Sequence, residues 1–165
     1  MEHLWTPWRS TYVTNKPPAG QCVFCAAIAD RDDEKTLLLY RATHNFVILN
    51  RYPYSSGHLM IAPNIHVSRL TDISDEAAQE MMRLARASET ILEDIYRPQG
   101  INLGMNLGEA AGAGIAAHIH LHVLPRWTGD ANFMSVVANT RVIPESLADT
   151  YTKLRPRFAE LQERA

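Results

Sequence analysis

The sequence predicts an α+β fold: an antiparallel sheet of about five strands, with one long helix and a C-terminal helix. Short apolar runs bounded by turn residues supply the strands. One stripe of helical periodicity, between a capping serine and a Pro98…Gly100 stop, supplies the long helix. The third observation is His118-Ile-His120-Leu-His122-Val-Leu-Pro125, in which imidazoles alternate with aliphatic side chains. A strand repeats every two residues, so the three imidazoles share one face and the aliphatics the other, with roughly 6.5–7 Å per step.

The elements follow in order. Residues 1–21 carry Trp5, Trp8, Tyr12, Pro17, Pro18 and Gly20, which reads as an irregular arm anchored by its aromatics. Residues 25–29 read as a short helix ending in the charged turn 30–34. Residues 37–40, 46–49 and 58–62 read as strands, the last two joined through Pro53-Tyr-Ser-Ser-Gly57. Ser74 is a good N-cap, with Asp75 and Glu76 where the helix dipole favours acid. The helix it starts carries Ala78, Met81, Leu84, Ala85, Ser88, Ile91, Leu92 and Ile95 on one stripe, read as core or dimer interface. Residues 101–105 give a strand, 106–114 a loop with three glycines, and the histidine strand runs on to Pro125. Pro144 and Glu145 are expected to open a terminal helix that Pro156 breaks. The chain reads as one domain, residues 1–165, with 1–21 as an arm and 145–163 as a C-terminal helical tail.

Composition narrows the function classes. The 165 residues and 46% hydrophobic content suffice for one core. A net charge of -2 offers no global attraction to nucleic acid or to an anionic membrane. No apolar run reaches the ~20 residues needed to span a bilayer. The start, Met-Glu-His-Leu-Trp, lacks the basic region and cleavage site of a signal peptide. The two cysteines, Cys22 and Cys25, are too few for a disulfide framework, so a cytoplasmic protein with a metal or redox pair is expected.

A row of imidazoles is costly as core, because each ring needs hydrogen-bond partners. Three uses are open at this point. The rings could sit on a wet sheet face, could form a three-histidine metal site with an open position, or could act as a nucleophile with flanking orienting groups. The loop Asn106-Leu-Gly108-Glu-Ala-Ala-Gly112-Ala-Gly114 is either a plain turn or a set of amides that an anion can approach. Its place just before the histidines suggests phosphate. The Cys22-Val-Phe-Cys25 pair is open to three readings: buried small side chains, a redox pair or half a zinc site.

The histidine row followed by Leu124-Pro125 resembles the histidine triad (HIT) superfamily. So do Trp5-Thr-Pro-Trp8-Arg, Asn50-Arg-Tyr-Pro-Tyr-Ser-Ser-Gly57-His58-Leu-Met-Ile-Ala-Pro63 and Pro125-Arg-Trp127-Thr-Gly-Asp130-Ala-Asn132-Phe133, which are similar to its bacterial diadenosine tetraphosphate phosphorylase branch. The likeness spans residues 4–155 and implies a HIT-like fold and chemistry at a nucleotide α-phosphate. His120 is implied as the nucleophile that forms a covalent nucleotidyl-histidine. His122 is implied to bind phosphate and assist the leaving group, with His58 as a buttress. Asn106 is implied at the phosphate, and Gly112 and Gly114 as backbone donors to it. Asn50 is implied at the ribose, although by itself it reads equally as a turn residue. Val23, Phe24 and Ile48 fall where the superfamily lines a base pocket, positions that are also ordinary core. The resemblance also implies structural zinc on Cys22, Cys25, His66 and His118, which would take His118 out of proton transfer.

One departure bears on the reaction. The phosphorylase branch carries Gly-Ser where this chain has Ala113-Gly114, so a hydroxyl donor is missing. Loss of one donor to developing phosphate charge costs on the order of a hundredfold in rate. This counts against phosphorolysis and makes hydrolysis or another acceptor more credible, so the expected enzyme is a dinucleoside polyphosphate phosphorylase or hydrolase, with the acceptor left open. The expected protein is a cytoplasmic homodimer or higher homo-oligomer acting on a dinucleoside polyphosphate such as diadenosine tetraphosphate, with no nucleic-acid or membrane partner. The alternatives are a nucleotide-binding regulatory module with weak or no catalysis, a hydrolase of another nucleoside 5′-phosphate conjugate, and a three-histidine metallohydrolase.

Overall fold

The computed structural model describes residues 22–130 and 145–161. The arm with Trp5 and Trp8, the segment around Asn132 and Phe133, and Pro144 lie outside the described residues. Helix α1 (Val23–Ala29) begins two residues before the expected one. The charged turn after it contains a short helix, α2 (Asp33–Thr36), that periodicity could not show. Its cap is Asp32, whose side chain accepts from the Lys35 amide. The Arg41 guanidinium fastens this corner to the sheet. It donates to the carbonyls of Ile28 and Asp30, each at 2.7 Å, and to Asp33 Oδ1 at 2.7 and 3.0 Å.

Five strands form one antiparallel sheet: β1 (Leu38–Arg41), β2 (Asn45–Leu49), β3 (Leu59–Pro63), β4 (Gly100–Gly104) and β5 (Leu121–Arg126). Their order is β1-β2-β3-β5-β4, and every neighbouring pair is antiparallel. This is the α+β class that the sequence predicts. The central strands β2 and β3 are buried along their whole length because both sheet faces are covered. On one face Leu39, Val47, Leu49, Leu59, Ile61, Leu121 and Val123 meet the two long helices. On the other, Leu38, Phe46, Ile48, Met60 and Ala62 meet Phe24 and Ala27 of α1. In β2 and β3 the period of two thus sends successive side chains into different cores.

Helix α3 (Asp75–Tyr96) starts where expected, with Ser74 Oγ accepting from the Ala77 amide. It buries Ala77, Met81, Leu84, Ala85, Ser88, Ile91 and Leu92. Glu80 is buried as well. Its carboxylate accepts from the Thr43 and His44 amides at 3.2 and 2.8 Å and from Asn45 Nδ2 at 2.8 Å, which closes the β1–β2 turn onto the helix. Among the described residues no helix is long and apolar enough to cross a membrane.

Two expectations about the later elements need correction. The terminal helix, α4 (Leu147–Ala159), is capped by Ser146 rather than opened by Pro144 and Glu145, and it runs through Pro156. Pro156 lacks an N–H and so frees one carbonyl in the last turns. Leu154 and Phe158, each fully buried, hold the backbone in place across it. Each such side chain contributes about 2–3 kcal/mol of transfer free energy, comparable with the cost of about 3 kcal/mol for an internal proline. The histidine strand is also shorter than expected. It begins at Leu121, so His118 and His120 precede it. The segment before it pairs irregularly instead, Ile119 donating its amide to the Val67 carbonyl at 2.8 Å.

Candidate active site and metal centre

The alternation survives although the strand is short. Ile119, Leu121 and Val123 are buried, with Leu121 and Val123 on the helix face of the sheet, while the imidazoles gather on the α1 face. The rings of His120 and His122 are 4.8 Å apart, nearly perpendicular. Phe24 packs against His118 at 5.2 Å and His120 at 4.9 Å, centroid to centroid.

Backbone partners fix which nitrogen of each ring carries a proton, because a carbonyl can only accept and an amide N–H can only donate. His120 Nδ1 lies 2.9 Å from the His118 carbonyl oxygen. It must therefore be the N–H, which leaves the Nε2 lone pair exposed to chemistry. The Tyr54 amide donates to His58 Nδ1 at 3.1 Å. His58 then carries its proton on Nε2 and donates to His122 Nδ1 at 2.9 Å, so the neutral His122 presents an Nε2–H. The sheet register brings the last pair together, since Met60 pairs with His122 and His58 stands two residues earlier on the same face.

Burial and neighbouring charge favour the neutral rings. Burial holds His120 below the ordinary histidine value, against the opposing bond to the His118 carbonyl. Burial, and then the proximity of His120, push His122 down to about 4. An unprotonated nitrogen thus sits beside a neutral N–H hydrogen-bond donor at neutral pH, as suits nucleophilic attack beside a group that stabilises negative oxygen.

His118 plays a different part. Its Nε2 donates to the Pro63 carbonyl at 2.9 Å, so the Nδ1 lone pair faces Cys22 Sγ at 3.4 Å and Cys25 Sγ at 3.7 Å. His66 Nδ1 lies 3.3 Å from Cys25 Sγ. All four ligand atoms fall within 4.8 Å of one another. A tetrahedron with Zn–N of about 2.0 Å and Zn–S of about 2.3 Å has edges of roughly 3.3–3.8 Å. The three sulfur–nitrogen separations fall in that range. The donor set, two thiols and two imidazoles with an oriented second nitrogen on His118, suits zinc. Burial, followed by the Cys22 thiol, pushes the Cys25 thiol up. His118 is thereby separated from His120 and His122, so a three-histidine metal site is not what the geometry assembles.

The remaining expected residues are placed unevenly. Asn50 lies beside His58, with Nδ2 3.4 Å from both ring nitrogens, and also closes a turn by accepting the Tyr52 amide at 2.9 Å. Phe24 and Ile48 are buried in the α1 cluster, while Val23 is 38% exposed. Asn106 is half-buried just after β4. Gly112 has φ +87°, a conformation that glycine adopts without strain. The Gly112 and Ala113 amides, however, donate within the loop, to the carbonyls of Glu109 and Gly108. The expected cradle is thus narrower than the three-glycine sequence suggests, because Gly112 has its N–H turned inward. Gly114 is exposed. Sequence reasoning missed the Tyr54 amide and the Pro63 carbonyl, since backbone groups leave no side-chain signature.

The family model for the HIT domain matches residues 31–129. The chain belongs to the HIT family. An AP-4-A phosphorylase of Mycobacterium tuberculosis is 37% identical over 166 residues, covering 96% of this chain and 85% of the relative. A zinc-bound histidine triad family protein from Mycobacterium smegmatis superposes with a TM-score of 0.68 at 27% identity, covering 88% of this chain and 98% of that one. A hypothetical histidine triad nucleotide-binding protein from Sulfolobus tokodaii shares the fold, with a TM-score of 0.67 at 23% identity over 87% of this chain and 95% of that one.

Proposed function

We propose that this HIT protein cleaves a dinucleoside polyphosphate, such as diadenosine tetraphosphate, at an α-phosphate through a covalent intermediate on His120. The observation that carries the reading is the bond from His120 Nδ1 to the His118 carbonyl, which leaves Nε2 as the free nucleophile. His120 Nε2 attacks the α-phosphorus, a P–N bond forms, and the bridging P–O bond breaks. The leaving oxygen departs as a phosphate oxyanion while His122 Nε2–H donates a hydrogen bond to it, and His58 Nε2–H donates to His122 Nδ1 and holds that tautomer. An acceptor O–H then attacks phosphorus, the P–N bond breaks, His120 leaves as the neutral Nδ1–H ring, and the acceptor's proton passes to solvent. The sequence match to the mycobacterial AP-4-A phosphorylase supports the substrate class. Asn50 and Asn106 are the candidate ribose and phosphate contacts, with Gly114 as the remaining loop donor and Phe24 and Ile48 as the wall behind the base.

Cys22, Cys25, His66 and His118 would hold zinc with all four positions filled by protein, so the ion is structural and fastens α1 to the histidine segment. In the reducing cytoplasm, where we place the protein, the thiols stay available as ligands. We read the assembly as a homodimer, because β4 is an edge strand with Leu103 47% exposed, and Met82 on α3 is 54% exposed.

Ala113-Gly114 supplies no hydroxyl, and the Gly112 and Ala113 amides are engaged, so water is the acceptor that fits best. Products separate the cases. Hydrolysis of diadenosine tetraphosphate gives AMP and ATP, whereas orthophosphate as acceptor gives ADP and ATP. AMP release independent of phosphate is the expected result, and ADP formation that requires phosphate contradicts it. The same sparse loop favours one second reading, a nucleotide-binding module with weak catalysis. Tight nucleotide binding with no covalent adduct and no turnover would establish that instead.

A further inference from the structure

Tyr96 ends α3 and Glu145 precedes the cap of α4, and the two meet behind the turn that presents His58. The Tyr96 hydroxyl donates to Glu145 Oε2 at 2.6 Å, and Thr150 Oγ1 donates to the same oxygen at 3.0 Å. Lys153 pairs with Oε1, and its ammonium lies 5.9 Å from the Tyr96 ring centroid. Burial pushes Glu145 up, but the bonds from Lys153, Tyr96 and Thr150 outweigh it and hold the carboxyl below its usual value. Burial, then the bond to Glu145, raises the Tyr96 phenol. The hydroxyl therefore remains a donor and the carboxylate an acceptor at neutral pH.

The other end of this contact is Gly57. A Cβ there would lie 3.0 Å from Tyr96 Cε2 and 3.0 Å from Leu92 Cδ2, and φ is +77°. A larger residue there would crowd the Tyr96 ring and strain a backbone that sits in the left-handed region. The next residue is His58. Its amide donates to the Ser55 carbonyl at 3.2 Å, and Ser55 Oγ donates to the Pro125 carbonyl at 3.0 Å, which ties the turn to β5. Trp127 meets the Tyr96 ring edge-on at 6.4 Å. The Tyr96 ring thus lies close against the backbone of Gly57, the residue before His58, and its hydroxyl is pinned by a residue beyond the HIT match at 31–129.

We propose that Glu145 and Tyr96 are positioning residues for the His58–His122 pair, through which the C-terminal helix sets the ring geometry of the active site. The proposal rests on the reading of His120 and His122 as the reacting pair. The link is short in mechanical terms: carboxylate to phenol, phenol ring to Gly57, Gly57 to His58, and His58 Nε2 to His122 Nδ1. A shift of the Gly57 backbone by a fraction of an ångström stretches the last bond, and hydrogen bonds weaken steeply with such changes. His122 then loses the partner that keeps its proton on Nε2.

The test uses the full-length protein with Tyr96→Phe, Glu145→Ala, Glu145→Gln and the Tyr96→Phe/Glu145→Ala double variant. Two readouts are taken: steady-state kinetics on diadenosine tetraphosphate, and the 15N shifts of the histidine rings without substrate. Tyr96→Phe and Glu145→Ala each lower kcat on the order of tenfold, with KM changed less than about twofold. The double variant is no worse than either single one, because both remove the same bond. Glu145→Gln keeps an acceptor for the Tyr96 hydroxyl and recovers most of the activity. In the impaired variants the His122 nitrogens move from a single-tautomer pattern toward averaged values. Wild-type kcat and ring shifts in folded Tyr96→Phe overturn the proposal and leave the cluster as a staple for α4. If Glu145→Ala does not fold, Tyr96→Phe, which removes one oxygen, decides. If the wild-type protein turns over no dinucleoside polyphosphate, the functional reading fails, and the ring shifts alone still decide the positioning claim.

Discussion

His120 Nδ1 donates to the carbonyl oxygen of His118 at 2.9 Å, and this bond joins the two halves of the site. His118 turns its side chain to the cysteines and its carbonyl to the reacting ring. One residue therefore serves the Cys22, Cys25 and His66 cluster and also fixes the tautomer of His120. Removing a single imidazole from the triad has a different consequence at each position.

His120→Ala is expected to reduce turnover by roughly four orders of magnitude or more, as loss of a covalent nucleophile does. The ring is buried against Phe24 rather than shared with the Cys22, Cys25 and His66 cluster, so nucleotide affinity is retained within about tenfold. Calorimetric titration with a non-cleavable nucleotide, beside the rate assay, checks both halves. Full activity in this variant would remove His120 from the nucleophile's role.

Purified protein is expected to contain one zinc per chain, and Cys25→Ser or His66→Ala to lose it. Because a preformed site links ion binding to folding, chelation should lower the thermal midpoint by several degrees. Catalysis should survive mild chelation, since no open coordination position takes part. Metal analysis, melting curves and rates on the same samples test this. Activity that vanishes with the metal at unchanged stability would point to a catalytic ion.

Stability should fall with acid in a defined window. His122 is held at about 4 by burial and then by its neighbour His120, whereas an unfolded histidine titrates near 6.5. Between those values the unfolded chain binds a proton that the folded chain does not, so stability rises with pH. The contribution is complete above about 6.5 and drains as pH falls toward 4. Melting midpoints taken from pH 7 to pH 4.5 should decline, and His122→Gln should show a shallower decline. Equal slopes would contradict the buried neutral ring.

Glu80→Ala tests the scaffold away from the chemistry. It leaves the Asn45 amide group and the Thr43 and His44 N–H groups without their carboxylate. The expected cost is about 2 kcal/mol, read by chemical denaturation, with kcat unchanged. A larger effect on rate than on stability would mean that the β1–β2 turn reaches the site.

Much of this arrangement was legible in the sequence, for identifiable reasons. The period of two in Ile119, Leu121 and Val123 forecast which face the imidazoles take, even though the ladder begins only at Leu121. Ser74 and the Pro98…Gly100 stop bounded α3, because caps and breakers act locally. Pro156 misled because Leu154 and Phe158 outweigh a local helix breaker through tertiary packing. The Tyr54 amide and the Glu145–Tyr96 contact were invisible, the first because it is backbone and the second because it joins residues 49 positions apart. The loop at Gly112 reads either as a plain turn or as amides open to an anion, with Gly112 and Gly114 as implied donors, yet hydrogen bonds inside it engage the Gly112 and Ala113 amides.

The most direct test of the account is intact-protein mass spectrometry of the reaction with diadenosine tetraphosphate, quenched at alkaline pH to preserve a P–N bond. The account predicts a transient gain of one adenylyl group, located on His120 and absent from His120→Ala. Steady AMP and ATP production with no adduct at any time, or an adduct on another residue, would contradict it.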